Sequence, residues 1–216
     1  MNGKVLITGG LGYLGGRLSK HLSDRGKWAT RLTSRRTGNA LPSWADAMEV
    51  VTADFGDDGD MASLCQGMDA VVHLAAMNAD QCANDPEKAN RVNVAGTQSL
   101  WDAAIKTGVK RFIYVSTVHV YGAPPIGVIT ENTAPCPAHP YSETHHRAEE
   151  IVLSGEGPLG VVLRLSNAIG VPTDEKADCW MLAANDLCRQ AVTEKGLHLR
   201  GSGLDVRDFV AIADVC

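Results

Sequence analysis

The sequence predicts an α/β fold: a doubly wound parallel sheet followed by a partial, smaller C-terminal region. Three observations carry that prediction. Short runs of near-continuous Val, Ile and Leu recur along the chain, the composition of strands buried on both faces of a parallel sheet. Helical stretches alternate with them almost from the first residue, and repeated β–α alternation selects an open parallel sheet covered by helices. The length, 216 residues, suits one domain with an appendage, and a chain of this size buries roughly 70% of its unfolded surface without a disulfide or metal staple.

The elements follow in order. Residues 4–8 (KVLIT) form a first strand, and 11–25 carry helical periodicity through Leu14, Leu18 and Leu22, with Gly26 as the stop. Further strands are expected at 29–33, 48–52, 70–74, 111–116 and 161–165, with helices near 60–66, 86–107 and 141–153. Prolines 124, 125, 135, 137 and 140 make 123–140 a loop leading into the helix at Tyr141. Beyond Pro172 the pattern gives a helix at 179–192, strands at 197–200 and 208–212, and the start of another helix. The division expected is 1–170 for the first domain and 171–216 for the partial second region.

Composition excludes several classes. Hydrophobic residues make up 44% and charged residues 21%, an ordinary globule rather than a disordered or fibrous chain. The formal charge of −5 argues against a nucleic-acid binder, whose footprint is basic. The six cysteines (65, 82, 136, 179, 188 and 216) form no C-x-x-C pair and read as reduced thiols. Cys136, His139, His145 and His146 fit no zinc spacing, so no metal is expected. No apolar run approaches the ~18 residues of a membrane span, and MNGKVLITGG is too short in its apolar stretch for a signal peptide. The expectation is a cytoplasmic protein without membrane contact.

Thr8 to Gly15 reads TGGLGYLG, directly after the first strand and opening the first helix. Glycines there allow a tight turn, a close approach of backbone to a pyrophosphate, and close helix–sheet packing; the helix N-terminus adds its dipole and open N–H groups. Strand, glycines and helix in this order point to dinucleotide binding. The end of the second strand reads Ser34-Arg35-Arg36, without the acid that would hold the ribose hydroxyls of NAD. Guanidinium forks suit a 2′-phosphate, so the expectation is NADP, with NAD as the alternative.

With TGGLGYLG stand HLAA (73–76), NVAGT (93–97), YVSTVHVYG (114–122), the Tyr141 helix, RLSNAIG (164–170) and GSGLDVRDF (201–209). In this order they resemble the extended short-chain dehydrogenase/reductase family, the nucleotide-sugar epimerases and dehydratases. The resemblance implies a Rossmann fold and a nucleotide-diphosphate sugar as substrate. It implies cofactor contacts from Gly9, Gly12, Tyr13, Leu14, Gly15, Ser34, Arg35, Arg36, Asp54, Phe55, Leu74, Ala75, Ala76 and Asn93, and from Tyr141 and His145. It assigns Ser116, Thr117, Asn167 and Arg207 to the substrate, the last two at its diphosphate. Thr117, Tyr141 and His145 are the catalytic candidates: Tyr141 exchanges a proton with the sugar while hydride moves to or from the nicotinamide. The family also implies a homodimer built on two helices, here those of 86–107 and 141–153. Val92, Leu100 and Ala104, with Ile151 and Leu153, are the apolar stripes available for it, unless they face the sheet.

The sequence departs from the family in one informative place. His145 stands where a Lys lowers the Tyr pKa and grips the nicotinamide ribose. An imidazole is shorter and mostly neutral at pH 7 unless a buried acid keeps it charged. Val118 and His119 stand where the dehydratases carry an Asp-Glu pair, which leaves epimerisation through a keto intermediate, or keto reduction. The alternatives are a redox-neutral isomerase or mutase, and a non-catalytic dinucleotide sensor. The family's usual C-terminal lid lies beyond the R-D-F segment, so the expectation is a short form or a lid supplied by a partner subunit.

Overall fold

The computed structural model describes residues 3–36, 41–57, 59–122, 127–155, 157–194, 196–199, 201–204 and 206–216. Pro124 and Pro125 of the expected loop, Arg200 of the expected strand at 197–200, and Asp205 lie outside the described residues.

Six strands make the main sheet: β1 (Gly3–Thr8), β2 (Trp28–Ser34), β3 (Glu49–Thr52), β4 (Ala70–His73), β5 (Arg111–Thr117) and β6 (Leu159–Leu165). Their spatial order is β3-β2-β1-β4-β5-β6, and every pairing is parallel. The chain therefore winds outward from β1 in one direction and from β4 in the other. The crevice at the C-terminal ends of β1 and β4 is the switch point where such sheets bind ligands.

Alternation along the strands divides the core. Val5, Ile7 and Leu32 pack with Leu11 of the glycine turn and with Leu18 and Leu22 of the first helix, α1 (Tyr13–Arg25). Leu6, Val71, Phe112 and Tyr114 pack on the other face with Leu100, Trp101, Ala104, Ala148 and Val152. Burying one such side chain stabilises by about 1.5–3 kcal/mol, so these two layers hold the sheet rigid beneath the crevice. Gly26 closes α1 in the left-handed region at φ 60°, as expected of a glycine stop.

The expected helix at 60–66 is α2 (Met61–Cys65). The expected helix at 86–107 is present as one uninterrupted helical run, with a π-helical segment inside it. α3 (Ala79–Asn84) precedes it, and Asp85 caps α4 (Pro86–Ala89) with its side chain while Pro86 takes the first turn. Asn90–Ala95 is a π-helical segment, in which the Gly96 N–H reaches back to the Arg91 carbonyl, and α5 (Gly96–Thr107) follows. Val92, Leu100 and Ala104, expected as a possible dimer stripe, are at most 9% exposed and belong to the core of one chain.

α6 (Pro140–Val152) carries Tyr141, and α7 (Ala183–Thr193) begins four residues later than expected, because Cys179 lies in a buried turn before it. A second, two-stranded parallel sheet joins β7 (Asn167–Ile169) to β8 (Phe209–Ala211), pairing residues from either side of the expected domain boundary at 170. α8 (Ile212–Val215) follows β8. Residues 197–199 are not a strand: Leu197 and Leu199 are exposed, and the His198 N–H donates to the Gln190 side chain at 2.6 Å instead of a neighbouring strand. Among the described residues no helix is long and apolar enough to cross a membrane.

Candidate functional site

The glycine turn forms one wall of a cleft of about 940 Å³ at the switch point. Gly9 has φ +63°, which L side chains rarely adopt, and an added Cβ would lie 3.3 Å from the Ala75 backbone. A Cβ on Gly15 would stand 2.2 Å from the Gly9 carbonyl oxygen, so this glycine lets α1 seat against the turn. No side chain caps α1 and no acid occupies its first turn, so its dipole and end N–H groups remain available to an anion. Of the expected cofactor residues, Gly9, Gly12, Tyr13, Ser34, Arg35, Arg36, Asp54, Phe55, Leu74, Ala75 and Ala76 line the cleft. Leu14, Gly15, Asn93, Tyr141 and His145 do not. The Tyr13 hydroxyl donates to the Gly170 carbonyl at 2.8 Å, tying α1 to the end of β7.

A buried chain of hydrogen bonds holds the opposite wall. Thr8 Oγ1 accepts the N–H groups of Leu74 (2.9 Å) and Ala75 (3.1 Å), so its own proton goes to His73 Nδ1 at 2.7 Å. His73 Nε2–H then donates to Thr97 Oγ1 at 3.0 Å, which donates to the Asn93 carbonyl at 2.6 Å. Burial, with a smaller contribution from His145, pulls the His73 pKa down to about 3, which keeps this chain in one direction. Asn93 does not touch the cleft: its Oδ1 accepts Met77 N–H at 2.8 Å and its Nδ2 donates to Thr144 Oγ1 at 3.0 Å, bracing the cleft wall against α6. The sequence shows His73 only as the first letter of HLAA; its place in the chain depends on residues 24 and 65 positions away.

Thr117 ends β5 and lies beside Tyr141 in the first turn of α6. Burial raises the Tyr141 pKa above its ordinary 10.0, with the Thr117 hydroxyl opposing the rise. His145 lies beneath this pair, its ring centroid 4.5 Å from that of Tyr141 in an edge-on contact. It was expected on the cofactor; instead it is buried, with Nδ1 2.7 Å from the hydroxyl of Tyr114 and Nε2 buried without a partner among the described residues. Burial lowers its pKa to about 4 against a smaller opposing effect of Glu149, so the ring is neutral at pH 7. No cation is among the groups that shift Tyr141.

Glu149 is buried but already committed. Arg164 forks onto it at 2.6, 3.0 and 3.1 Å, and Ser116 donates its hydroxyl to the same carboxylate. Ser116, expected at the substrate, is therefore turned to Glu149 in the C-terminal half of α6, while Thr117 lies by Tyr141 in its first turn. His119, in the turn after β5, stands 6.5 Å from the Tyr141 ring; burial first, then Arg207 and His139, lower its pKa. Arg207 is exposed at the same mouth. Asn167 spends its backbone and side-chain N–H groups on the Asp208 carbonyl, at 3.2 and 2.9 Å, within the small sheet.

At the far end of the cleft, Ser34 Oγ accepts the Arg36 backbone N–H at 2.9 Å. The Arg36 guanidinium pairs with Asp174 and donates to the Lys176 carbonyl at 2.6 Å. The two residues expected to meet a 2′-phosphate thus have partners of their own, and Arg35 lines the cleft beside them.

A β3-β2-β1-β4-β5-β6 parallel sheet with a glycine turn at its switch point defines a dinucleotide-binding fold, and the Thr117–Tyr141 pair beside it marks the short-chain dehydrogenase type. A sequence model of the NAD dependent epimerase/dehydratase family matches residues 5–216, and the chain belongs to that family. It is 32% identical over 98% of its length to a dTDP-glucose 4,6-dehydratase of Streptomyces antibioticus, and 28% identical over 100% to a UDP-glucose 4-epimerase of Streptomyces lividans. It spans 66% and 70% of those proteins, about two thirds of their length. Among solved structures it superposes on MoeE5 in complex with UDP-glucuronic acid and NAD with a TM-score of 0.84 at 28% identity, covering 99% of this chain and 69% of that one.

Proposed function

We propose that this chain binds NAD in the cleft and acts on a nucleotide-diphosphate sugar, by reducing a keto group or by epimerising through a keto intermediate. The observation that carries the reading is the juxtaposition of Thr117, at the C-terminal end of β5, with Tyr141 at the start of α6, at the same end of the sheet as the glycine-lined cleft. The NAD and UDP sugars held by MoeE5, and the sugar nucleotides named for the two enzymes above, support the substrate class. NAD is preferred to the NADP that Ser34 and the two arginines suggested, because Ser34 and Arg36 are already engaged.

Bound in the cleft, the dinucleotide would supply or accept hydride; the chain's own work is to hold it and to move protons. Gly9, Gly12 and the start of α1 receive the pyrophosphate, and Asp54 and Phe55 the adenosine end. Thr117 orients the reacting oxygen. Tyr141, whose raised pKa keeps its hydroxyl protonated at neutral pH, gives that proton to a carbonyl oxygen more readily than it takes one from an alcohol. The resting state of the site is therefore set for keto reduction, and oxidation of a sugar hydroxyl calls for higher pH. His119 is the second proton carrier within reach of the sugar, in a position where no carboxylate supports dehydration.

The test is turnover of UDP-glucose, UDP-glucuronic acid, dTDP-glucose and their 4-keto forms with NAD or NADH. Tyr141→Phe should lower turnover by about 100-fold or more and leave NAD affinity intact. Unchanged turnover in that variant removes Tyr141 from the mechanism, and a wild-type protein inert with every substrate overturns the activity.

A further inference from the structure

Arg36 is the residue of this cleft best suited by chemistry to a phosphate, and it is occupied from far away in the sequence. Its guanidinium meets the carboxylate of Asp174, a residue 138 positions later, and its Nη2 donates to the Lys176 carbonyl at 2.6 Å. Asp174 is itself saturated: its second oxygen accepts the Lys176 N–H at 3.0 Å, and its side chain is 10% exposed. Burial pushes the Asp174 pKa up, but the Lys176 N–H and Arg36 together outweigh it and hold the carboxyl ionised. The segment is fixed at both ends. A Cβ on Gly16 would stand 2.3 Å from Thr173 Oγ1, so residue 173 sits directly on α1, and Asp178 accepts from the Asn78 amide at 3.0 Å beside α3. Lys176 and Asp178 line the cleft along with Arg36.

We propose that Asp174 is a specificity-determining residue for the cofactor: by holding Arg36 in an ion pair it selects a dinucleotide with a free ribose 2′-hydroxyl over one carrying a 2′-phosphate. The inference rests on the reading of the cleft as a dinucleotide site at the end of β2. A 2′-phosphate seeking Arg36 must displace a carboxylate that is also anchored by the Lys176 N–H, and its own charge then lies against that carboxylate. Bidentate guanidinium pairing is the strong form of phosphate recognition, and here the fork is already filled. Of the two arginines, Arg35 is left to meet the phosphate, with Lys176 the other cation on that side of the cleft. The two arginines that make the sequence look NADP-dependent therefore act as one, because an acid invisible to local reading cancels the other.

The experiment measures the dissociation constants of NAD and NADP by calorimetry for the wild type, Asp174→Asn, Arg36→Gln and the double variant. Asp174→Asn keeps the shape and the Lys176 contact but releases Arg36. It should improve NADP binding relative to NAD by about tenfold, the effect of one or two charged hydrogen bonds. The gain should vanish in the double variant. Arg36→Gln alone should leave the NADP-to-NAD ratio unchanged, an outcome readable even if Asp174→Asn does not fold. A tenfold selective loss of NADP binding in Arg36→Gln, an unmoved ratio in Asp174→Asn, or a gain that persists without Arg36 overturns the proposal. A wild type that binds neither dinucleotide overturns the cofactor reading, and this inference with it.

Discussion

Two imidazoles lie in the core of this protein with no place for a second proton, and their response to acid can be worked out in advance. His73 accepts from Thr8 at Nδ1 and donates to Thr97 from Nε2, and burial holds its pKa at about 3. His145, against Tyr114, is held at about 4; both rings have an ordinary value of 6.5. Below pH 6.5 the unfolded chain protonates both rings while the folded one protonates neither, so stability rises with pH in this window and is level above it. It falls as the pH drops from 6.5 to about 4 for His145 and on to about 3 for His73. Each ring contributes about 1.4 kcal/mol per pH unit, so acidification from pH 6.5 to about 4.5 removes roughly 5 kcal/mol for the pair. That is the whole margin of many domains. Urea midpoints measured across this range should show the decline, and His145→Phe should lower its slope by about 1.4 kcal/mol per pH unit, whatever it does to stability at pH 7. A wild type with level stability, or a His145→Phe variant with the full slope, refutes the argument that burial keeps these rings neutral.

Two further outcomes follow from the same geometry. His145→Lys should bring a cation beside Tyr141, lower the phenol pKa by about one to three units and move the basic limb of the activity profile to lower pH. It should also destabilise the fold, because Glu149 is already neutralised by Arg164; an unmoved profile in a folded variant counts against the electrostatic account of Tyr141. Gly15→Ala should abolish dinucleotide binding and lower the melting temperature, since its Cβ would stand 2.2 Å from the Gly9 carbonyl oxygen. Wild-type affinity in that variant would show that the turn yields.

What the sequence discloses and what it hides divide by distance along the chain. Strands β1 to β6 are legible because each is a local run of apolar residues, and the glycine turn because its glycines recur at a fixed spacing within eight residues. The helix at 86–107 is legible at its start because Asp85 caps it and Pro86 opens it, whereas the π-helical segment at Asn90–Ala95 inside it leaves no local mark in the sequence. β7 is missed because three residues carry no period, and its partner lies 42 residues away. The site follows the same rule. Thr117 and Tyr141 are found by motif, whereas the partners that set their chemistry (Tyr114 for His145, Asp174 for Arg36, Arg164 for Glu149) are 31, 138 and 15 residues distant.

A histidine at 145, where the family resemblance implies a lysine, is consistent with everything packed around it. Three polar groups tie the C-terminal halves of β4 and β5 to the helices above: His73 to Thr97 of α5, Tyr114 to His145, and Ser116 with Arg164 to Glu149 of α6. The first two are neutral, and in the third the charges cancel. A lysine at 145 would have to share this layer with Tyr114, whose own hydroxyl burial makes still harder to ionise, and with a carboxylate already taken. An uncompensated ammonium there costs several kcal/mol, while a neutral ring bonded to Tyr114 costs little. The ground under Tyr141 is thus electrically quiet, and the positive charge of the site stands at its mouth, where Arg207 acts on His119. A phenol over a neutral floor keeps its proton until a substrate oxygen develops negative charge, and that is the state a proton donor for a ketone needs at neutral pH.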